Sequence, residues 1–80
     1  MKLVLKPSLN RIKNGFCASS PELRIAAHGF SPETARINLE RTALLLLKPF
    51  ERQGSLHEEL AKVPLDVDLS EGNLEVHALE

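Results

Sequence analysis

Eighty residues, 42% hydrophobic and 26% charged, make one domain; a chain this short buries only about 60% of its unfolded surface, so its core is marginal. A single cysteine, Cys17, excludes an internal disulfide and suits a reducing cytosol. The net charge of −1 hides an asymmetry, because residues 1–30 carry Lys2, Lys6, Arg11, Lys13 and Arg24 against Glu22, whereas residues 55–80 carry Lys62 against seven acids.

Leu3-Val4-Leu5 between lysines predicts a first strand. Pro7 has no N–H to give to a ladder, so it ends that strand or holds it at an edge. Leu9 and Ile12 extend it past a bulge. Asn14-Gly15 predicts a tight hairpin of type I′, which needs positive φ at both central positions. Phe16 to Ser20 makes the return strand and Pro21-Glu22 a second turn. Leu23 to His28 makes a third strand, with Leu23, Ile25 and Ala27 on one face and Arg24, Ala26 and His28 on the other. Three antiparallel strands in a meander follow.

Ser31-Pro32-Glu33 opens a helix: Ser31 caps free N–H groups, Pro32 suits the first position and Glu33 suits the positive end of the dipole. Phe30 is placed to staple across that cap. Ala35, Leu39, Ala43, Leu46 and Phe50 recur at helical spacing and are expected to face the sheet. Ile37, Leu44, Leu45 and Leu47 fall partly off that stripe, and the four consecutive leucines reach every side of a helix. Leu44, Leu45 and Leu47 are therefore a candidate homo-oligomer interface, unless the rest of the chain covers them. Pro49 is expected to end or kink the helix near Lys48. Gln53-Gly54 is a break. Ser55 to Glu58 reads as a capping box for a short second helix to about Lys62, which Pro64 stops. Leu65 to Leu69 alternates apolar and acidic residues. Ser70-Glu71-Gly72-Asn73 is a turn. Leu74, Val76 and Ala78 alternate with Glu75 and His77 in a last strand or hairpin. The expected architecture is α+β, β-β-β-α-(α)-β, in one domain over residues 1–80.

The stretch Gly15-Phe16-Cys17-Ala18-Ser19-Ser20-Pro21-Glu22-Leu23, followed by Gly29-Phe30-Ser31-Pro32-Glu33-Thr34-Ala35 and Asn38-Leu39, resembles the turn and helix-start motifs of HicB-like proteins. The resemblance covers roughly residues 1–50. It implies a partial ribonuclease-H-like fold, β-β-β-α-β, and an antitoxin that binds a small HicA-like ribonuclease toxin or another small basic protein. Thr34 stands where the family has a second Glu, and Phe30 where an acidic or polar residue is common. Many relatives add a C-terminal operator-binding module. The stretch after Gly54 is short and acidic, whereas such modules present basic residues to phosphate. Operator binding by this chain alone is therefore not expected.

Chemistry-bearing residues are scattered. Two-metal nuclease chemistry needs clustered carboxylates, yet Lys2 to Lys6 holds no acid, Glu22 falls in a turn and Glu33 at a helix cap. Cys17, His28, His57 and His77 show no recognised zinc-ligand spacing. Cys17 reads as a small strand residue, and His28 as an exposed residue able to touch a partner. Asp66, Asp68, Glu71 and Asn73 stand in the wrong order for a calcium loop. No catalytic, metal-binding or cofactor-binding residue is assigned. The absence of Trp and Tyr, with only three Phe, argues against the aromatic tracks of single-strand binders. Residues able to contact a partner or RNA are Lys2, Lys6, Arg11, Lys13, Arg24 and His28, with the acidic half suited to a basic protein. No signal peptide is expected at Met1 to Lys6, whose apolar run is short. The longest apolar run, Ala43 to Leu47, is far below the ~20 residues that span a bilayer. A cytoplasmic, non-catalytic protein-binding module is the expectation; an RNA-contacting module or a vestigial nuclease using Glu22 or Glu33 are the alternatives.

Overall fold

Lys6-Pro7 divides the N-terminal apolar stretch into two strands with different partners. In a computed structural model, which describes residues 1–70 and 72–79, β1 (Lys2–Leu5) is the centre of one three-stranded sheet. The strands β2 (Ser8–Ile12), β3 (Gly15–Ser20) and β4 (Ile25–Gly29) form a second sheet, an antiparallel meander in the order β2-β3-β4. The expected meander is present, but it starts after Pro7 rather than at Leu3. A proline without an N–H breaks the ladder, and the chain resumes in another sheet.

Both turns differ in detail from their sequence signals. The first loop is Lys13-Asn14, one residue earlier than expected, because Ile12 pairs with Gly15. It is not type I′: among the described residues Arg24 is the only non-glycine with positive φ. Gly15 instead opens β3 at φ +153, and a Cβ there would run into the Gly29 carbonyl. The second turn spans Pro21 to Arg24, closed by the Arg24 N–H donating to the Pro21 carbonyl at 3.2 Å. Leu23 therefore belongs to the turn, and Arg24 adopts φ +57.

The helix α1 (Pro32–Gln53) starts as expected, with the Thr34 N–H donating to Ser31 Oγ at 3.1 Å and Pro32 in its first turn. Its buried stripe is Ala35, Leu39, Ala43 and Leu47. Leu47, at 3% exposure, takes the inner place expected of Leu46, which turns outward; Phe50 is half-buried. Residues at strict four-residue spacing precess around a 3.6-residue helix, and α1 uses that drift while crossing from β3 and β4 to β6. Gly29 lets β4 meet the helix start closely: a Cβ on it would lie 2.9 Å from the Ala35 Cα and nearer still to its nitrogen.

Pro49 does not end the helix, which continues to Gln53. The carbonyl that Pro49 cannot serve belongs to Leu45, whose side chain is 70% exposed, so water can take it. The helix stops at Gly54, in the left-handed region at φ 74. There the Ser55 N–H donates to the Phe50 carbonyl (2.9 Å) and the Gly54 N–H to the Glu51 carbonyl (3.2 Å), the two bonds of a Schellman ending. Ser55 thus finishes one helix while preceding α2 (Leu56–Ala61), and its side chain makes no capping bond to the second. The expected capping box does not form, because the Ser55 Oγ is turned back to the Phe50 carbonyl at 3.5 Å.

Leu56 and Leu60 of α2 close the core. Beyond Pro64 come two strands, which flank β1 instead of pairing with each other as a hairpin. β5 (Asp66–Asp68) runs antiparallel to β1, and β6 (Glu75–Ala78) runs parallel to it. Val76 and Ala78 point inward, as their alternation required. Leu3, Leu5, Ala18, Leu39, Leu60 and Val76 anchor a single core shared by both sheets; each fully buried leucine contributes roughly 1.5–3 kcal/mol.

Two polar side chains on α1 tie it to one edge strand of each sheet. Asn38 Nδ2 donates to the His28 carbonyl of β4, and the Ala78 N–H of β6 donates to Glu40 Oε2, both at 2.7 Å. Covering an edge in this way removes groups that would otherwise pair with another chain.

Candidate functional site

The basic residues of the N-terminal half do not form one surface. Lys2 stands opposite Asp68 in the β1–β5 ladder, and Lys6 Nζ lies 3.5 Å from an Asp66 carboxylate oxygen. The Ser70 N–H, donating at 3.0 Å, holds the Asp68 carboxyl below its ordinary value, with the Ser70 hydroxyl, the chain amino group and Lys2 adding to the effect. Two of the five cations are thus already faced by aspartates. Arg11 and Lys13 sit at the hairpin between β2 and β3. Arg24 lies at the other end of β3, about 20 Å away at roughly 3.3 Å per residue. Only Arg11 and Lys13 remain together, and Arg11, opposite Phe16, lies on the other face of the sheet from His28.

Strand register defines what surrounds them. Asn10, Cys17 and His28 form one row across the three strands, and Ser8, Ser19 and Ala26 the next. Ala18 and Ala27, one residue out of phase, are buried, so these rows make the face turned away from α1. Ile12 and Gly15 begin a third row on that face, and Phe30 lies just beyond it, its Cα within 3.4 Å of a Cβ built on Gly15. Phe30 is 89% exposed. The expected staple is therefore not made, since Ala35, its intended contact, is buried beneath Gly29. Ile12, His28 and Phe30 wall a shallow hollow of about 240 Å³, with Asn14, Thr34 and Asn38 on its rim. Ligand sites usually measure roughly 300–1,000 Å³, so the hollow is small for a cofactor.

The adjacency of Cys17 and His28 was invisible to sequence spacing and became visible only through register. The other two histidines lie elsewhere: His57 is on α2, and His77 is on β6 with Nε2 3.7 Å from Glu75 Oε2. Among the described residues no three His, Cys, Asp or Glu side chains gather to hold a metal ion. Glu22 is in the far turn, while Glu33 pairs with Arg36 at 3.8 Å. The acidic residues Asp66, Asp68 and Glu75 lie on the two outer strands of the β5-β1-β6 sheet. Glu71, a member of the calcium-loop set considered above, lies outside the described residues.

The outward face of α1 carries Ile37, Leu44, Leu45 and Leu46 exposed. Arg41, Leu44, Leu45 and Lys48 border an open depression there of about 340 Å³. Leu47, placed among the candidate interface residues, is instead part of the core and unable to meet a second copy. Leu46 is the leucine that sequence periodicity assigned to the wrong side. Among the described residues no helix is long and apolar enough to cross a membrane.

No family model, curated protein or solved structure matches the chain.

Proposed function

We propose that this chain is a non-catalytic protein-binding module of the HicB-like antitoxin type, acting in the cytoplasm on a small basic protein. Three antiparallel strands, a long helix and a last strand give the β-β-β-α-β succession that the motif resemblance implies, with β1, α2 and β5 added and the last strand running parallel to β1 rather than to a strand of the meander. The observation that carries the proposal is the placement of the acids. Asp66, Asp68 and Glu75 stand at fixed positions on the two strands that flank β1. Carboxylates held on a rigid sheet can occupy the cationic groove of a small ribonuclease, where they take the place of RNA phosphates and mask the active site. Inhibition is then steric and needs no reacting group.

Co-expression with the product of the neighbouring gene tests the proposal. A small basic protein should co-purify and be neutralised, and Asp66→Lys with Asp68→Lys should release it. If no such protein co-purifies or is inhibited, the antitoxin role fails. Solution mass measured alone and with that partner distinguishes self-association through Ile37, Leu44 and Leu45 from hetero-association.

A further inference from the structure

The outer face of the meander has a composition that its structural role does not require. Phe30 packs into neither the core nor the helix cap, yet it sits beside a second ring, His28, and a bare glycine, Gly15. The strand residues of that face, Ser8, Asn10, Ile12, Cys17, Ser19, Ala26 and His28, include no carboxylate. Exposed Lys13 lies in the turn at its hairpin end, while Arg11, opposite Phe16, belongs to the other face. Glu33, at the start of α1, pairs with Arg36.

We infer that this face binds single-stranded RNA, stacking one or two bases on Phe30 and His28 while Lys13, in the turn at its end, takes a flanking phosphate. An unpaired base offers a flat π-face, and an exposed aromatic ring on an open sheet is the usual protein answer to it. Gly15 leaves the floor between Ile12 and Phe30 free of side chains, so a planar ring can lie close to the backbone. Exposed Asn10 and Asn14 present amides to base edges. Two rings make a short platform rather than a track, consistent with a chain of three phenylalanines. The inference does not depend on the antitoxin role, which uses the acidic sheet instead.

The test is fluorescence anisotropy of the full chain with a labelled mixed-sequence RNA of roughly ten nucleotides, within the site sizes of small single-strand binders. The same sequence as DNA and as an RNA duplex forms the comparison arms. Single-stranded RNA should bind most tightly, with affinity falling as salt rises by a log–log slope of about −0.7 for each phosphate contacted. Phe30→Ala should weaken binding about 5- to 150-fold, the usual effect of losing one stacked base. Phe30→Tyr should bind like the parent, whereas Phe30→Leu, which keeps apolar bulk but no ring face, should fail like Phe30→Ala. Lys13→Gln should flatten the salt slope, whereas Arg11→Gln, on the other face, should leave it unchanged. Melting curves of the Phe30 variants should match the parent, since the ring is exposed. No RNA binding at low salt, equal binding of duplex, or parental binding by Phe30→Leu would each overturn the inference. So would a protein partner held by Phe30→Leu with RNA bound by neither form, which would mark the face as a protein-docking surface.

Discussion

In the meander each strand meets a neighbour no farther along the chain than one short turn, whereas β1 meets β6 with Lys2 opposite Glu75. The meander is therefore built from local contacts and the β5-β1-β6 sheet from distant ones. Closing a long loop costs more entropy than closing a short one, though only as the logarithm of its length. What differs more is what holds each sheet to α1. The meander presses Gly29 directly against the helix backbone. The β5-β1-β6 sheet relies on Leu3, Leu5 and Val76 in the core and on one polar tie, Glu40 to Ala78.

Substitutions can separate these two attachments. Gly29→Ala should have the largest effect, because the added carbon meets backbone and not a movable side chain. A loss of about 3 kcal/mol, at the upper end of overpacking costs, is expected in chemical denaturation. A smaller loss would mean that β4 can retreat from α1. Glu40→Ala should cost about 1–2 kcal/mol by leaving the Ala78 N–H without its acceptor. Glu40→Gln should restore most of that, as the amide keeps an acceptor oxygen. Amide exchange should speed up in β6 and leave β3 and β4 unchanged; uniform acceleration would show that the two sheets do not open separately. Ser20→Ala should be neutral or stabilise by up to about 1 kcal/mol, because the Ser20 Oγ is buried without a hydrogen-bond partner.

The smallest effect concerns acid. Asp68 is favoured in its ionised form by the fold, so its contribution is present above its ordinary pKa of 3.8 and is lost as pH falls below that value. The β5 end of the first sheet should therefore loosen before the meander when the protein is acidified. The Ser70 amide resonance, followed by NMR from neutral pH to acid, should report it. A Ser70 amide that titrates no earlier than those of β3 would contradict the expectation.

The same division explains what could be read from residues alone. Ser31, Pro32 and Gly54 act on their own turns of helix, and their roles were legible at once. The antiparallel meander was legible because two short turns enforce it. The pairing of β1 with β5 and β6 was not, since no spacing rule links Lys2 to Glu75 across the chain. The choice between Leu46 and Leu47 depends on how α1 is rotated against two sheets at once, and periodicity leaves it open among four leucines. Pro49 misled for a related reason: its lost bond falls on the watered side of the helix, which depends on that same rotation. On the candidate surfaces, Arg11 and Lys13 share one hairpin, while Lys2, Lys6, Arg24 and His28 were dispersed by a topology that charge counting does not see. Phe30 was taken for a staple by a rule local to the cap, although continuing the alternation of Ala26 and His28 would have placed it outside.

The position of β1 has a consequence for biosynthesis. It leaves the ribosome well before both strands that satisfy its backbone, which come from residues 66–78. Until those emerge, Leu3 and Leu5 have no lasting shelter, while the hairpins of β2, β3 and β4 can already close and await the helix. The nascent chain therefore passes through a stage with one completed sheet and one sticky, unpaired strand, and that stage is where trigger-factor-like chaperones or premature self-association would act.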